Sequence, residues 1–102
     1  MVGGNIRSSL EFLGLSEKES SIYLFICSNP KTTAGQIIKT LKIARSKTYD
    51  GLHKLSSMGL VNKSGKGVAK YCSAGWLILA EMYHERILEV GQAIEYLFKG
   101  MG

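Results

Sequence analysis

Proline occurs once in this 102-residue chain, at Pro30, and cysteine twice, at Cys27 and Cys72. So little proline rules out an extended proline-rich linker. Two cysteines 45 positions apart, with no histidine or cysteine close to either, give neither a disulfide-stapled scaffold nor a zinc ligand set. They read as small buried hydrophobes. No apolar run is long enough to span a membrane, and the N-terminal MVGGNIRSS has neither the apolar core nor the cleavage pattern of a secretory signal, so a cytoplasmic protein is expected. Gly65-Lys66-Gly67 lacks the long glycine loop and following Ser or Thr of a nucleotide-binding loop, and no nucleophile–base pair presents itself. Glu81, His84 and Glu85 cluster, but off the apolar seam of their segment and with no further ligand nearby, so they read as solvated charge. No enzyme, cofactor, metal or small-molecule effector is therefore expected.

The most telling scarcity is of acid. From Lys39 to Lys70 eight basic residues face Asp50 alone, a local charge of +7, whereas the rest of the chain carries five basic and seven acidic residues, or −2. The whole net charge of +5 thus resides in one third of the sequence. Like charge crowded in this way opposes folding unless something negative is meant to sit there, which is the footprint of a polyanion binder. At this length, with 45% apolar residues, the chain makes one core but no roomy cleft between domains, which favours a binding module.

Helical periodicity organises most of the chain. Ile6, Leu10 and Leu13 form one face of a short helix over Asn5 to Leu13 that stops at Gly14. Ser16 followed by Glu19 is a capping box, so a second helix begins at Glu17; it is apolar nearly all round, hence central, and ends before Asn29-Pro30. Thr32 and Thr33 offer the N-cap of a third helix carrying Ala34, Ile37, Ile38 and Leu41. A fourth, over about 45–58, turns Thr48, Leu52 and Leu55 inward and ends at Gly59. Residues 60–63 and 68–72 read as two short strands around Ser64-Gly65-Lys66-Gly67. From Ala74 to Lys99 a single long helix repeats Trp76, Ala80, Tyr83, Ile87, Val90, Ile94, Leu97 and Met101 at alternating spacings of four and three, a stripe expected to be buried against its own domain and a second copy.

A short helix, a tight link, a helix with an exposed cationic face and then a small hairpin is the order of a winged helix-turn-helix. The fold class expected is mainly α with a small β-hairpin, divided into a winged helix-turn-helix at 1–73 and a dimerisation helix at 74–102. Leu13-Gly14-Leu15-Ser16-Glu17-Lys18-Glu19, Ala44-Arg45-Ser46-Lys47-Thr48-Tyr49-Asp50-Gly51-Leu52 and Leu55 through Met58-Gly59-Leu60-Val61 resemble the DNA-binding domain of TrmB-type transcriptional regulators, the likeness covering roughly Ser8 to Ser73. The resemblance implies a dimeric, sequence-specific regulator of a mostly archaeal family, with its recognition helix beginning near Arg45. Many members carry a large C-terminal sugar-binding domain where this sequence ends in one helix, so no effector is carried over. The family also often has proline where Ala44 stands.

The groups expected to meet double-stranded DNA follow from that order. Arg45 suits a bidentate pair with guanine, Ser46 can bond several bases, and Lys47 a base or phosphate. Tyr49 offers a phosphate contact or a thymine methyl contact, or else packs on the wing; His53 shares its exposed face and Lys54 lies deeper along the backbone. Thr32 and Thr33 present hydroxyls and amides to a phosphate, or serve as caps alone. Lys63, Lys66 and Lys70 of the wing, residues 60–72, serve phosphates or the minor groove. The seven stripe residues from Trp76 to Leu97 form the homodimer interface. Two other readings compete: a winged helix that binds an acidic protein within a larger assembly, and an RNA-binding winged helix.

Overall fold

The chain's helices start and stop where its caps and glycines lie. The computed structural model describes residues 2–101, with the side chains of residues 2–5, 76 and 101 outside that description. The order is α1 (Val2–Phe12), α2 (Glu17–Ser28), α3 (Ala34–Leu41), α4 (Arg45–Ser57), β1 (Val61–Ser64), β2 (Lys70–Ser73) and α5 (Trp76–Met101). Helix α1 ends in a Schellman turn: Gly14 is left-handed (φ +99°), the Leu15 N–H donates to the Leu10 carbonyl (3.1 Å) and that of Gly14 to the Glu11 carbonyl (2.9 Å). Helix α4 repeats the device at Gly59 (φ +79°), with the Leu60 N–H donating to the Leu55 carbonyl at 2.9 Å. Ser16 and Glu19 form the expected reciprocal capping box at the start of α2.

Helix α2 is the hub, packing against α1, α3, α4 and β2. Its Ile22, Tyr23 and Ile26 meet Leu10, Ala34, Ile37, Leu52, Leu55, Leu60, Val61 and Tyr71 in one core. It is less uniformly buried than its composition suggests. Leu24 and Phe25 are half-buried, and Cys27, expected in the core, is exposed on the last turn beside the fully buried Ile26. Cys72 is half-buried, and both thiols are free.

The hairpin is antiparallel, pairing Val61 with Ser73, Asn62 with Cys72, Lys63 with Tyr71 and Ser64 with Lys70. Its second strand starts two residues later than expected, because Gly65 (φ +101°) and Gly67 (φ +81°) hold the turn open and leave Val68 in solvent. Thr32 adds a third, single-residue strand: the Tyr71 N–H donates to its carbonyl at 2.7 Å.

Helix α5 turns out of the hairpin at Gly75 (φ +96°). Leu79 and Met82 pack on the core, and the Tyr83 ring lies 5.2 Å from that of Phe12 on α1. Every residue from His84 to Gly100 is exposed, so α5 projects from a body about 24–27 Å across and gives the molecule its 60 Å length. Among the described residues no helix is long and apolar enough to cross a membrane.

Candidate nucleic-acid interface

Helices α3 and α4 are joined by a three-residue link whose first residue, Lys42, is left-handed (φ 55°). Helix α3 is closed at its N-terminus: the Thr33 hydroxyl accepts from the Gln36 N–H (3.2 Å) and Gln36 Oε1 accepts from the Thr33 N–H (3.1 Å). Helix α4 is open there. Ala44 has no side chain to cap it, so the first-turn amides of Arg45, Ser46 and Lys47 face outward beside three polar side chains, all exposed. The Thr48 hydroxyl, buried on the other face, donates to the Ala44 carbonyl at 3.1 Å and holds that first turn in place.

The exposed side of α4 carries Arg45, Ser46, Lys47, Tyr49 and His53. The Arg45 guanidinium lies 5.4 Å from the Tyr49 ring centroid, a cation–π contact that limits the directions in which the arginine can extend. Tyr49 is 43% exposed and spans the space between helix and hairpin. It lines a cleft of about 470 Å³ with Thr33, Arg45, Lys63 and Tyr71, and a second of about 360 Å³ with His53, Ser56, Lys63 and Tyr71. Burial, and then the neighbouring Tyr49, push the Tyr71 phenol above its ordinary pKa, so it stays a neutral wall of this cleft. Lys63 thus reaches the helix from the first strand, and Lys66 stands at the exposed tip of the turn. Among the described residues the ion pairs are Lys54–Glu19, Arg86–Glu89 and Lys99–Glu95, so Arg45, Lys47, Lys63 and Lys66 have no carboxylate within ion-pair distance.

Three residues expected here are placed elsewhere. Thr32 is 2% exposed; its hydroxyl donates to Gln36 Oε1 (2.9 Å) and its carbonyl accepts from Tyr71, so it secures the sheet instead of facing a phosphate. Lys54 is engaged within the fold, its ammonium donating to the Gly14 carbonyl and to Glu19 Oε1, both at 2.9 Å. Lys70 pairs with Ser64, and by strand alternation it leaves the hairpin on the face opposite Lys63 and Tyr71. Two residues that shape the site escaped the sequence reading. Gln36 stands three residues after Thr33, a capping-box spacing that would have identified it. Tyr71 is an aromatic residue next to the charged, exposed Lys70 in β2, an alternation that marks it as an inward residue.

Of the expected dimer contacts, Ala80, Ile87, Val90, Ile94 and Leu97 are exposed on α5, Tyr83 is half-buried against Phe12, and Trp76 has its side chain outside the described residues. Ile87 and Ile94 are each 47% exposed and Leu97 64%, an apolar stripe left uncovered by the described residues.

The chain matches the family described as sugar-specific transcriptional regulator TrmB over residues 10–76. No curated protein matches it in sequence. Among solved structures it is similar to a possible transcriptional regulator from Methanosarcina mazei Go1, with a TM-score of 0.77 at 13% identity, covering 87% of this chain and 81% of that one. It is also similar to the multiple antibiotic-resistance repressor MarR from Listeria monocytogenes 4b F2365 (TM-score 0.61, 19% identity, 97% of this chain and 70% of that one). A third likeness is to reduced HlyU from Vibrio cholerae N16961 (TM-score 0.59, 18% identity, 84% and 90%). At such identities these likenesses establish the winged-helix fold.

Proposed function

Because the chain belongs to the TrmB family of transcriptional regulators, we propose that it acts as a homodimeric, sequence-specific regulator that reads double-stranded DNA. Helix α4 enters the major groove by its N-terminal end, where Arg45 and Ser46 meet base edges. Tyr49 holds the arginine and contributes its own hydroxyl and ring edge, with His53 beside it. Thr33, Lys47, Lys63 and Lys66 take phosphates, Lys66 from a turn whose glycines let the backbone come close. The observation that carries this reading is the set of four cationic side chains without acidic partners, distributed over one helix end and one hairpin. Among the described residues no carboxylate pairs with them, and a phosphate backbone would neutralise them.

The exposed stripe of α5 supports the dimer. A second copy laid along Ile87, Val90, Ile94 and Leu97 covers the apolar surface that projects beyond the body. It also presents two reading helices related by a two-fold axis, suited to a palindrome with half-sites roughly 34 Å apart. Family and fold favour a regulator over an enzyme, and an archaeal, cytoplasmic setting accords with the family.

Selection of bound duplexes from a randomised pool, followed by gel-shift titration, tests the reading. A palindromic consensus is expected, and Arg45→Ala is expected to lower discrimination against a mismatched base by tenfold or more, at about 1–3 kcal/mol per lost bidentate pair. Equal affinity for every duplex, or a preference for single-stranded RNA, would refute it.

A further inference from the structure

Lys54 belongs to the reading helix but serves the far side of the molecule. Its ammonium spans 40 positions of sequence to the Gly14 carbonyl and 35 to Glu19 Oε1. Both acceptors lie on the corner between α1 and α2, and that corner is fixed by its own bonds. The Schellman turn sets Gly14, and Glu19 Oε1 also accepts the Ser16 N–H at 2.8 Å. One turn earlier on α4, Gly51 brings the two helices together: a Cβ there would lie 2.9 Å from Ile22 Cδ1 on α2. Helix α4 is therefore held against α2 at a close crossing and, beyond it, by a charged strut. The same corner leads to α5, because Phe12, two residues before Gly14, packs on Tyr83 and lies 5.8 Å under the Arg86 guanidinium. A continuous set of contacts runs from α4 through Lys54, Gly14 and Phe12 to the projecting helix.

We propose that Lys54 is a positioning residue that sets the angle between the reading helix and α5, and through it the half-site separation that the dimer accepts. The inference rests on the dimeric DNA-binding reading above. Lys54 touches no DNA; its work is to keep two reading helices, joined only through their α5 helices, in register with the duplex. Without the ammonium, α4 keeps its apolar seat on Leu52 and Leu55 but pivots at Gly51.

The test uses the full chain and the selected palindrome with its half-sites moved apart or together by one and two base pairs. Wild-type protein is expected to prefer one separation by tenfold or more. Lys54→Met, which keeps the aliphatic length, is expected to reduce that preference to threefold or less, while affinity for a single half-site stays within twofold of wild type. Glu19→Gln, which retains an acceptor for Ser16 but drops the charge, should move the preference in the same direction. A Lys54→Met protein as selective for separation as wild type would overturn the strut alone, and so would an equal loss on single half-sites, since that marks a direct contact. Wild-type protein indifferent to separation would overturn the dimeric reading and the strut with it.

Discussion

Salt dependence gives the sharpest measure of which cations face DNA. In the proposed dimer each protomer would offer Lys47, Lys63 and Lys66 to phosphates and Arg45 to a base, while Lys54 is engaged by its own chain. Six phosphate contacts per dimer at about −0.9 each give a slope of log K against log salt of about −5, and a loss of roughly 10³ in affinity between 50 and 200 mM. Lys66→Ala removes two contacts per dimer and is expected to flatten the slope by about 2, weakening all duplexes alike. Lys54→Met leaves the slope on any single duplex unchanged, because the ammonium it removes releases no counterion from DNA. Fluorescence anisotropy titrations at four salt concentrations read both values. A wild-type slope of about −7 that flattens by about 2 in Lys54→Met would refute the reasoning, since it would mean that the lysine leaves Glu19 and Gly14 for a phosphate.

Two further predictions concern the frame. Burial raises the Glu19 pKa, but the Ser16 amide and the Lys54 ammonium outweigh it and hold the carboxyl below its ordinary value of 4.5. A depressed carboxylate contributes stability that is complete above that ordinary value and is lost as pH falls through the lower one in the fold, so the gap between wild type and Glu19→Gln should be constant at neutral pH and close below about pH 4.5. With the Lys54 side chain 43% exposed, the pair contributes at most about 1 kcal/mol, read by urea unfolding across that range. On α5, Ile87→Glu combined with Ile94→Glu places charge on the apolar stripe and is expected to yield a monomer by sedimentation equilibrium with unchanged circular dichroism; a persisting dimer would exclude this helix as the interface.

Element boundaries were legible wherever a local signal sets them. Ser16 and Glu19 announce α2, Gly14 and Gly59 stop α1 and α4, and all of these act within five residues of chain. The cationic face of α4 was legible for the same reason: Thr48, Leu52 and Leu55 turn one side inward and leave Arg45, Tyr49 and His53 on the other. What escaped depends on partners distant in sequence. A one-residue strand at Thr32 has no periodicity to betray it, and only its pairing with Tyr71 reveals it. Cys27 lies among apolar neighbours in sequence, yet in the last turn of α2 it is Ile26 that enters the core and Cys27 that faces solvent.

Lys47 and Lys54 show where a helical wheel stops being informative. Seven residues apart, they share one stripe of α4, about 20° out of line, and no argument from angle can give them different roles. They differ by roughly 10 Å along the axis. At the N-terminal end, Lys47 lines a shallow cleft with Ser16, Lys18, Glu19 and Asp50, yet among the described residues its ammonium has no carboxylate within ion-pair distance, and Glu19 pairs with Lys54 instead. Two turns on, the same stripe crosses the corner of α1 and α2, where a carbonyl freed by Gly14 and the Glu19 carboxylate await a cation. Of two lysines on one stripe, one is left without a carboxylate partner among the described residues and the other is neutralised inside the fold. Axial position relative to α2, and not the amino acid or its face, makes the division; a paired Asp50→Lys and Lys54→Asp exchange would leave the net charge unchanged while setting a second carboxylate against Glu19.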